Sequence, residues 1–121
     1  MIALDTLELR RIGLPLVVPF RTSFGTEAHR DILLVRVAGT HTDSGERIEG
    51  WGECVAMVAP LYSYEFVDAA EQAISQHLWP RLTTAPVEAA GVAHLLEPVK
   101  GWAMAKAAVE MAVLDAELRA A

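Results

Sequence analysis

The spacing of apolar side chains along this 121-residue chain changes once, near Pro60. Before that point they alternate; after it they recur every three or four residues. A chain with this pattern builds a sheet first and adds helices afterwards. Residues 2 to 12, IALDTLELRRI, put Leu7 and Leu9 on one side and Glu8 and Arg10 on the other, as a half-exposed strand does. Pro15 and Pro19 interrupt GLPLVVPF, so that stretch reads as an edge strand or an extended crossing. DILLVRVAG (31–39) and RIEGWGE (47–53) read as two further strands. GTHTDSGE between them is turn chemistry, with Asp43, Ser44 and Gly45 at the tip. The first half therefore predicts three antiparallel strands.

In the second half, Ser63 is placed to cap a helix running to about residue 79, with Tyr62 before the cap and Val67 as its staple. Val67, Ala70, Ile74 and Leu78 repeat at helical spacing, and Pro80 is expected to end the run. A short helix follows Pro86 to about Leu96. The last helix begins near Trp102, with Met104, Ala107, Met111, Leu114 and Leu118 as its apolar stripe. Its end, LDAELRAA, has neither a capping glycine nor a proline, which suggests a helix leading onward in a longer natural chain, a frayed natural terminus being the alternative. The expected fold class is α+β, a three-stranded antiparallel sheet followed by a helical bundle, with residues 1–121 forming one domain.

Composition narrows the function. Hydrophobic residues make up 53% of the chain, against about 45–50% in an average soluble domain, so either the interior is very full or a partner covers one face. The net charge of −6 and the absence of a Lys/Arg cluster argue against nucleic acid as a partner. No apolar run approaches the roughly 18 residues that span a bilayer. Asp5 and Glu8 do not suit a signal peptide, and the single Cys54 agrees with a reducing compartment. The expected location is cytoplasmic.

The residue types that carry chemistry are scattered. His29, His41, His77 and His94 form no pair at metal-ligand spacing. Cys54 reads as a small buried residue, and TSFG around Ser23 is not a nucleophile elbow. The glycines of GWGE (50–53) have no following lysine, so they suit close packing of Trp51 or a bulge better than a phosphate loop. Glu53 alone at a strand end suits solvation or an ion pair. Lys106, Glu110 and Asp115 suit surface ion pairs, Asp115 with Arg119 being the favourable orientation. What remains is two apolar-aromatic segments, PFRTSFGT and CVAMVAPLY. Phe20, Phe24, Met57 and Tyr62 could form an apolar pocket wall, with Thr22 and Ser23 as its polar groups, or simply cover the domain's own core.

Taken in order, PLVVPFRTSFGT, LLVRV, GWGECVAMVAPLYSYE and KGWAMAKAAVEMAVLDAELRA resemble the N-terminal part of enolase-superfamily enzymes. More narrowly they resemble the o-succinylbenzoate synthase / N-acylamino acid racemase family of the muconate-cycloisomerase-like branch. The resemblance covers nearly the whole chain. It implies an N-terminal capping domain, a three-stranded sheet followed by helices, that continues into a modified β/α barrel, a unit of about 250 residues in typical form. In that family two barrel lysines act as acid and base, and three barrel carboxylates hold magnesium or manganese. The paired-lysine motif belongs downstream of Ala121; Lys100 and Lys106 are too far apart and in the wrong element. The resemblance thus implies a fragment that is inactive alone and holds no catalytic or metal residue. It assigns Phe20, Ser23 and Phe24 to a first lid loop, and Met57 and Tyr62 to a second, over a small carboxylate substrate. The implied partners are the chain's own barrel and further copies of the full-length protein. The alternatives are the cap of a dipeptide epimerase or muconate-type cycloisomerase, and a stand-alone binding module. Menaquinone formation and N-acylamino acid racemisation are left unseparated.

Overall fold

The computed structural model describes residues 1–22 and 25–121, the side chains of Phe20, Thr22 and Glu27 excepted. Its first half is the expected antiparallel sheet, in the order β1 (Ile2–Thr22), β2 (Gly25–His41), β3 (Arg47–Cys54). Alternation sorts the two faces. Leu7 and Leu9 oppose Val37 and Val35, which in turn oppose Gly50 and Gly52; this face meets the helices. One residue out of phase, Glu8, Arg36 and Trp51 share the other face, where Arg36 Nε meets Glu49 at 2.6 Å. The β2–β3 turn closes where the sequence places it. His41 N–H donates to Glu46 O at 2.8 Å, and Gly45 N–H to His41 O at 2.9 Å.

At the far end of the sheet, strand replaces most of the expected loop. β1 and β2 run on as a long hairpin, with Pro15 opposite His29 and the pairing resuming from Phe20–Glu27 to Thr22–Gly25. PFRTSFGT is therefore strand up to Thr22 and strand again from Gly25. The gap in the ladder lies between Pro15 and Phe20, on the edge strand, where proline's missing N–H breaks least.

The first helix also differs from expectation. α1 (Val67–Ala73) starts after Phe66, not after Ser63, and no side chain caps it. Ser63 Oγ instead accepts Glu65 N–H at 3.2 Å, a local turn that competes with helix. Pro80 does not end the run. A π-helical turn (Ile74–Leu78) and a 3-10 turn (Trp79–Leu82) follow, with Pro80 in the first turn of the latter, where no N–H is needed. Val67, Ala70, Ile74 and Leu78 are buried as their spacing predicts, and Leu82 joins them. α2 spans Ala89–Leu96 and α3 Ala103–Ala120. Side chains from α3 and elsewhere complete these ends: Glu117 Oε2 accepts Ala89 N–H at 2.7 Å, capping α2 across the bundle.

Met104 packs against the core as expected, but beyond it α3 turns the opposite face to the sheet from the one its large side chains predict. Ala105, Ala108, Val109, Ala112, Val113 and Ala116 are buried. Met111, Leu114 and Leu118 stay 46%, 44% and 64% exposed, and Ala107 is exposed as well. The cause lies in β3. A Cβ on Gly50 would fall 2.1 Å from Ala112 O, and one on Gly52 2.1 Å from Ala108 O. The helix backbone rests directly on the glycines, leaving room only for small side chains between. The glycines of GWGE thus serve the helix and not Trp51, whose side chain is on the other face.

Candidate functional site: the surface around the second loop

β3 ends at Cys54, and the chain leaves the sheet through Val55 and Ala56 into the second apolar segment. Met57 forms a short parallel bridge with Phe66, and Val67 N–H donates to Met57 O at 2.9 Å. The residues between leave and return at one point, a closed loop packed by its own ends. Its tip turns apolar groups outward: Val58 and Leu61 are exposed, and Tyr62 is 76% exposed. Met57, at the foot, is half-buried.

The hairpin arm is joined to this loop by Arg30. Arg30 lies on β2 opposite Leu14, and its Nη2 donates to Val55 O at 3.3 Å. A side chain from the arm that carries the first segment thus holds the backbone that opens the second. Of the residues expected to face a ligand, Met57 and Tyr62 stand on the one closed loop. Phe20 lies on β1 opposite Glu27, its side chain not described; Ser23 and Phe24 lie outside the described residues.

Three residues that sequence reasoning passed over fix the loop's return. Glu65, 6% exposed, accepts Met104 N–H at 3.0 and 3.1 Å and Ala105 N–H at 3.2 Å. Tyr64 Oη accepts Trp102 N–H at 2.5 Å, and the two rings meet edge to face at 5.2 Å. Gly101, at φ +69°, passes so close that a Cβ there would lie 2.1 Å from Tyr64 Oη. The sequence carries one sign of this arrangement: the longest helix has Gly101–Trp102 where a capping residue belongs.

Cys54 is buried, and burial pushes its thiol up; the nearby Glu65 carboxylate acts in the same direction, while the Ala56 backbone bond opposes both. Such a thiol is a poor nucleophile. Asp115 does pair with Arg119, at 3.0 Å, and also accepts Trp51 N–H at 2.9 Å. Lys106 turns inward instead, its Nζ donating to Val99 O. Among the described residues no three His, Cys, Asp or Glu side chains gather as a metal site. A groove of about 440 Å³ beside His77, Arg81 and Leu95 shares no lining residue with either segment.

Residues 6–121 match the family model described as mandelate racemase / muconate lactonizing enzyme, N-terminal domain. The chain belongs to that family. Within the mandelate racemase / muconate lactonizing enzyme family it is 54% identical over 118 residues to an N-succinylamino acid racemase from Amycolatopsis sp, covering 97% of this chain and 30% of that protein. It is 33% identical over 115 residues to an o-succinylbenzoate synthase from Geobacillus stearothermophilus, covering 94% of this chain and 29% of that one. A solved enolase-superfamily structure from Listeria innocua superposes with a TM-score of 0.85 at 31% identity, over 97% of this chain and 30% of the other. The fold is that of the superfamily's N-terminal capping domain, and the chain spans about 30% of the length of the relatives it matches. The residues described here include no β/α barrel.

Proposed function

We propose that this domain closes over the substrate of a divalent-metal-dependent o-succinylbenzoate synthase / N-acylamino acid racemase, which removes the proton beside a carboxylate and then dehydrates or racemises. The observation that carries the reading is the outward-facing Val58–Tyr62 tip of a loop whose entering backbone, at Val55, is held to the hairpin arm by Arg30, on a domain so similar to an N-succinylamino acid racemase. Tyr62 and Met57 from one side, and Phe20, Ser23 and Phe24 from the other, would contact the substrate's distal acyl or side-chain group and exclude water around the reacting carbon. The acid, the base and the magnesium or manganese ion belong in this reading to a barrel outside these 121 residues. The described residues offer no ligand cluster for such an ion, so no chemical step is assigned to them.

The exposed Met111–Leu114–Leu118 stripe of α3 fits the same reading as the seat of that barrel. The full-length protein would be a cytoplasmic homo-oligomer.

Solvent exchange of the α-proton tests the proposal. Full-length protein with magnesium or manganese should wash deuterium from D2O into N-succinylamino acids, and the 121-residue chain alone should not. Turnover by the isolated chain, or none by the full-length protein on N-acylamino acids or on the cyclohexadiene precursor of o-succinylbenzoate, would overturn it.

A further inference from the structure

A carboxylate as buried as Glu65 needs compensation, and among the described residues it forms no ion pair. The compensation is the N-terminus of α3, whose first-turn N–H groups and positive dipole end meet both oxygens. A local Ser, Thr or Asp before α3 would satisfy those donors without burying a charge. The chain instead brings the acceptor from a residue 39 positions earlier than Met104, at the root of the second loop. The contact therefore does something for the loop that a local cap would not do.

What it does follows from the loop's other supports. One is the Met57–Phe66 bridge, closed by Val67 N–H on Met57 O. Another is Tyr64 Oη on Trp102 N–H, for which Gly101 clears the space. Glu65 is the third, and it is the only one of them that is buried and charged. Between these points, Val58, Leu61 and Tyr62 face solvent without collapsing onto the core.

We propose that Glu65 is a positioning residue that holds the 57–62 loop in its ligand-facing form before any ligand arrives, using the end of α3 as the anchor. Preorganisation of this kind shows in ligand affinity more than in chemistry. The loop's order stands independently of the substrate-lid reading; only the kinetic consequence rests on it.

The test compares wild type, Glu65→Ala, Glu65→Gln and Tyr64→Phe in the full-length protein, by amide exchange and by kinetics on N-succinylamino acids of small and bulky side chain. In Glu65→Ala the amides of Leu61 and Val67 should exchange about tenfold faster while that of Val35 keeps its wild-type protection. KM for bulky substrates should rise about fivefold with kcat nearly constant, and small substrates should be affected less. Glu65→Gln, which keeps one acceptor oxygen, should recover part of both effects. Should Glu65→Ala not fold, Glu65→Gln decides, since it removes one of the two carboxylate acceptors and keeps the shape: Leu61 and Val67 should again exchange faster, and Tyr64→Phe, which leaves Glu65 intact, shows how much the neighbouring support adds. Wild-type exchange at Leu61 and Val67 in folded Glu65 variants overturns the proposal. Absence of turnover in wild type instead overturns the substrate reading, and the exchange data still decide the role of Glu65.

Discussion

Gly50 of β3 sits beneath Ala112 of α3 so closely that a β-carbon on the glycine would lie 2.1 Å from the alanine's carbonyl oxygen and 2.3 Å from Ala116 N. Backbone meets backbone at this point, with no flexible side chain to give way. Gly50→Ala and Gly52→Ala should therefore each destabilise the domain by about 3 kcal/mol, the upper end of overpacking costs. Gly91 in α2 is the control, since a Cβ there meets only Glu88 Cγ at 3.9 Å. Gly91→Ala should stabilise by about 0.5–1 kcal/mol, the ordinary helix-propensity gain. Denaturant unfolding of the three variants measures both signs. Equal effects at positions 50 and 91 would contradict the packing account.

That contact also explains where sequence reading succeeds and where it stops. Strand positions were legible because alternation reports directly which face is buried: Leu7, Leu9, Val35 and Val37 fall where period two puts them. The existence of α3 was legible too, but its rotation was not. A stripe of Met and Leu suggests a core face only if the helix packs at ordinary distance, and Gly50 and Gly52 change that distance. The same limit hides Glu65, whose partners lie 39 and 40 residues away. Ser63 looked like a cap because local pattern cannot show that the following glutamate is engaged elsewhere. That the segment bearing Met57 and Tyr62 leaves the sheet was readable from its place after the third strand and its apolar make-up, whereas its supports at Tyr64, Gly101 and Trp102 are tertiary.

The exposed stripe of α3 makes a separate prediction. Met111, Leu114 and Leu118 lie on one helical face, and contiguous exposed apolar surface drives association. The isolated 121-residue chain should self-associate with rising concentration in sedimentation velocity. A Leu114→Glu, Leu118→Glu double variant should remain monomeric, with stability changed by no more than about 0.5 kcal/mol per site. A wild-type chain that stays monomeric at every concentration would show that this face needs no cover.

Acid should loosen the sheet's first corner. Arg47 donates to Asp5, with Nη1–Oδ2 at 2.5 Å and Nη2–Oδ1 at 3.0 Å, tying β1 to the start of β3. That bond, then the Thr6 hydroxyl, holds the Asp5 carboxyl below its ordinary value, and the Arg47 guanidinium is correspondingly raised. A depressed carboxyl contributes stability above its unfolded-state value, near pH 4, and loses it as pH falls through the lower folded value. Wild type should therefore exceed Asp5→Asn in stability at neutral pH, and the two should converge below about pH 4. Both side chains are more than half exposed, so the difference should also shrink in high salt. A gap that persisted at low pH would assign the effect to something other than this pair.

The candidate site gives the last prediction, made for the full-length protein. Tyr62 is 76% exposed at the tip of the second loop, and substitutions at so exposed a position usually change stability by no more than about 0.5 kcal/mol. Tyr62→Ala should therefore leave the unfolding midpoint nearly unchanged; Phe24→Ala in the first segment joins it in the substrate comparison. Against substrate the expectation reverses. An aromatic group that a ligand covers contributes roughly 1–3 kcal/mol of apolar burial, so kcat/KM should fall about tenfold to a hundredfold. The fall should be greatest for substrates with bulky acyl or side-chain groups, because small ones do not reach the tip. Metal affinity should stay at the wild-type level, since in this reading the ion is held by the barrel and not by either segment. Steady-state kinetics over a series of N-acyl lengths, run beside a metal titration, separates these effects. Normal efficiency on the longest substrates, together with weakened metal binding, would show that the two segments do not cover substrate.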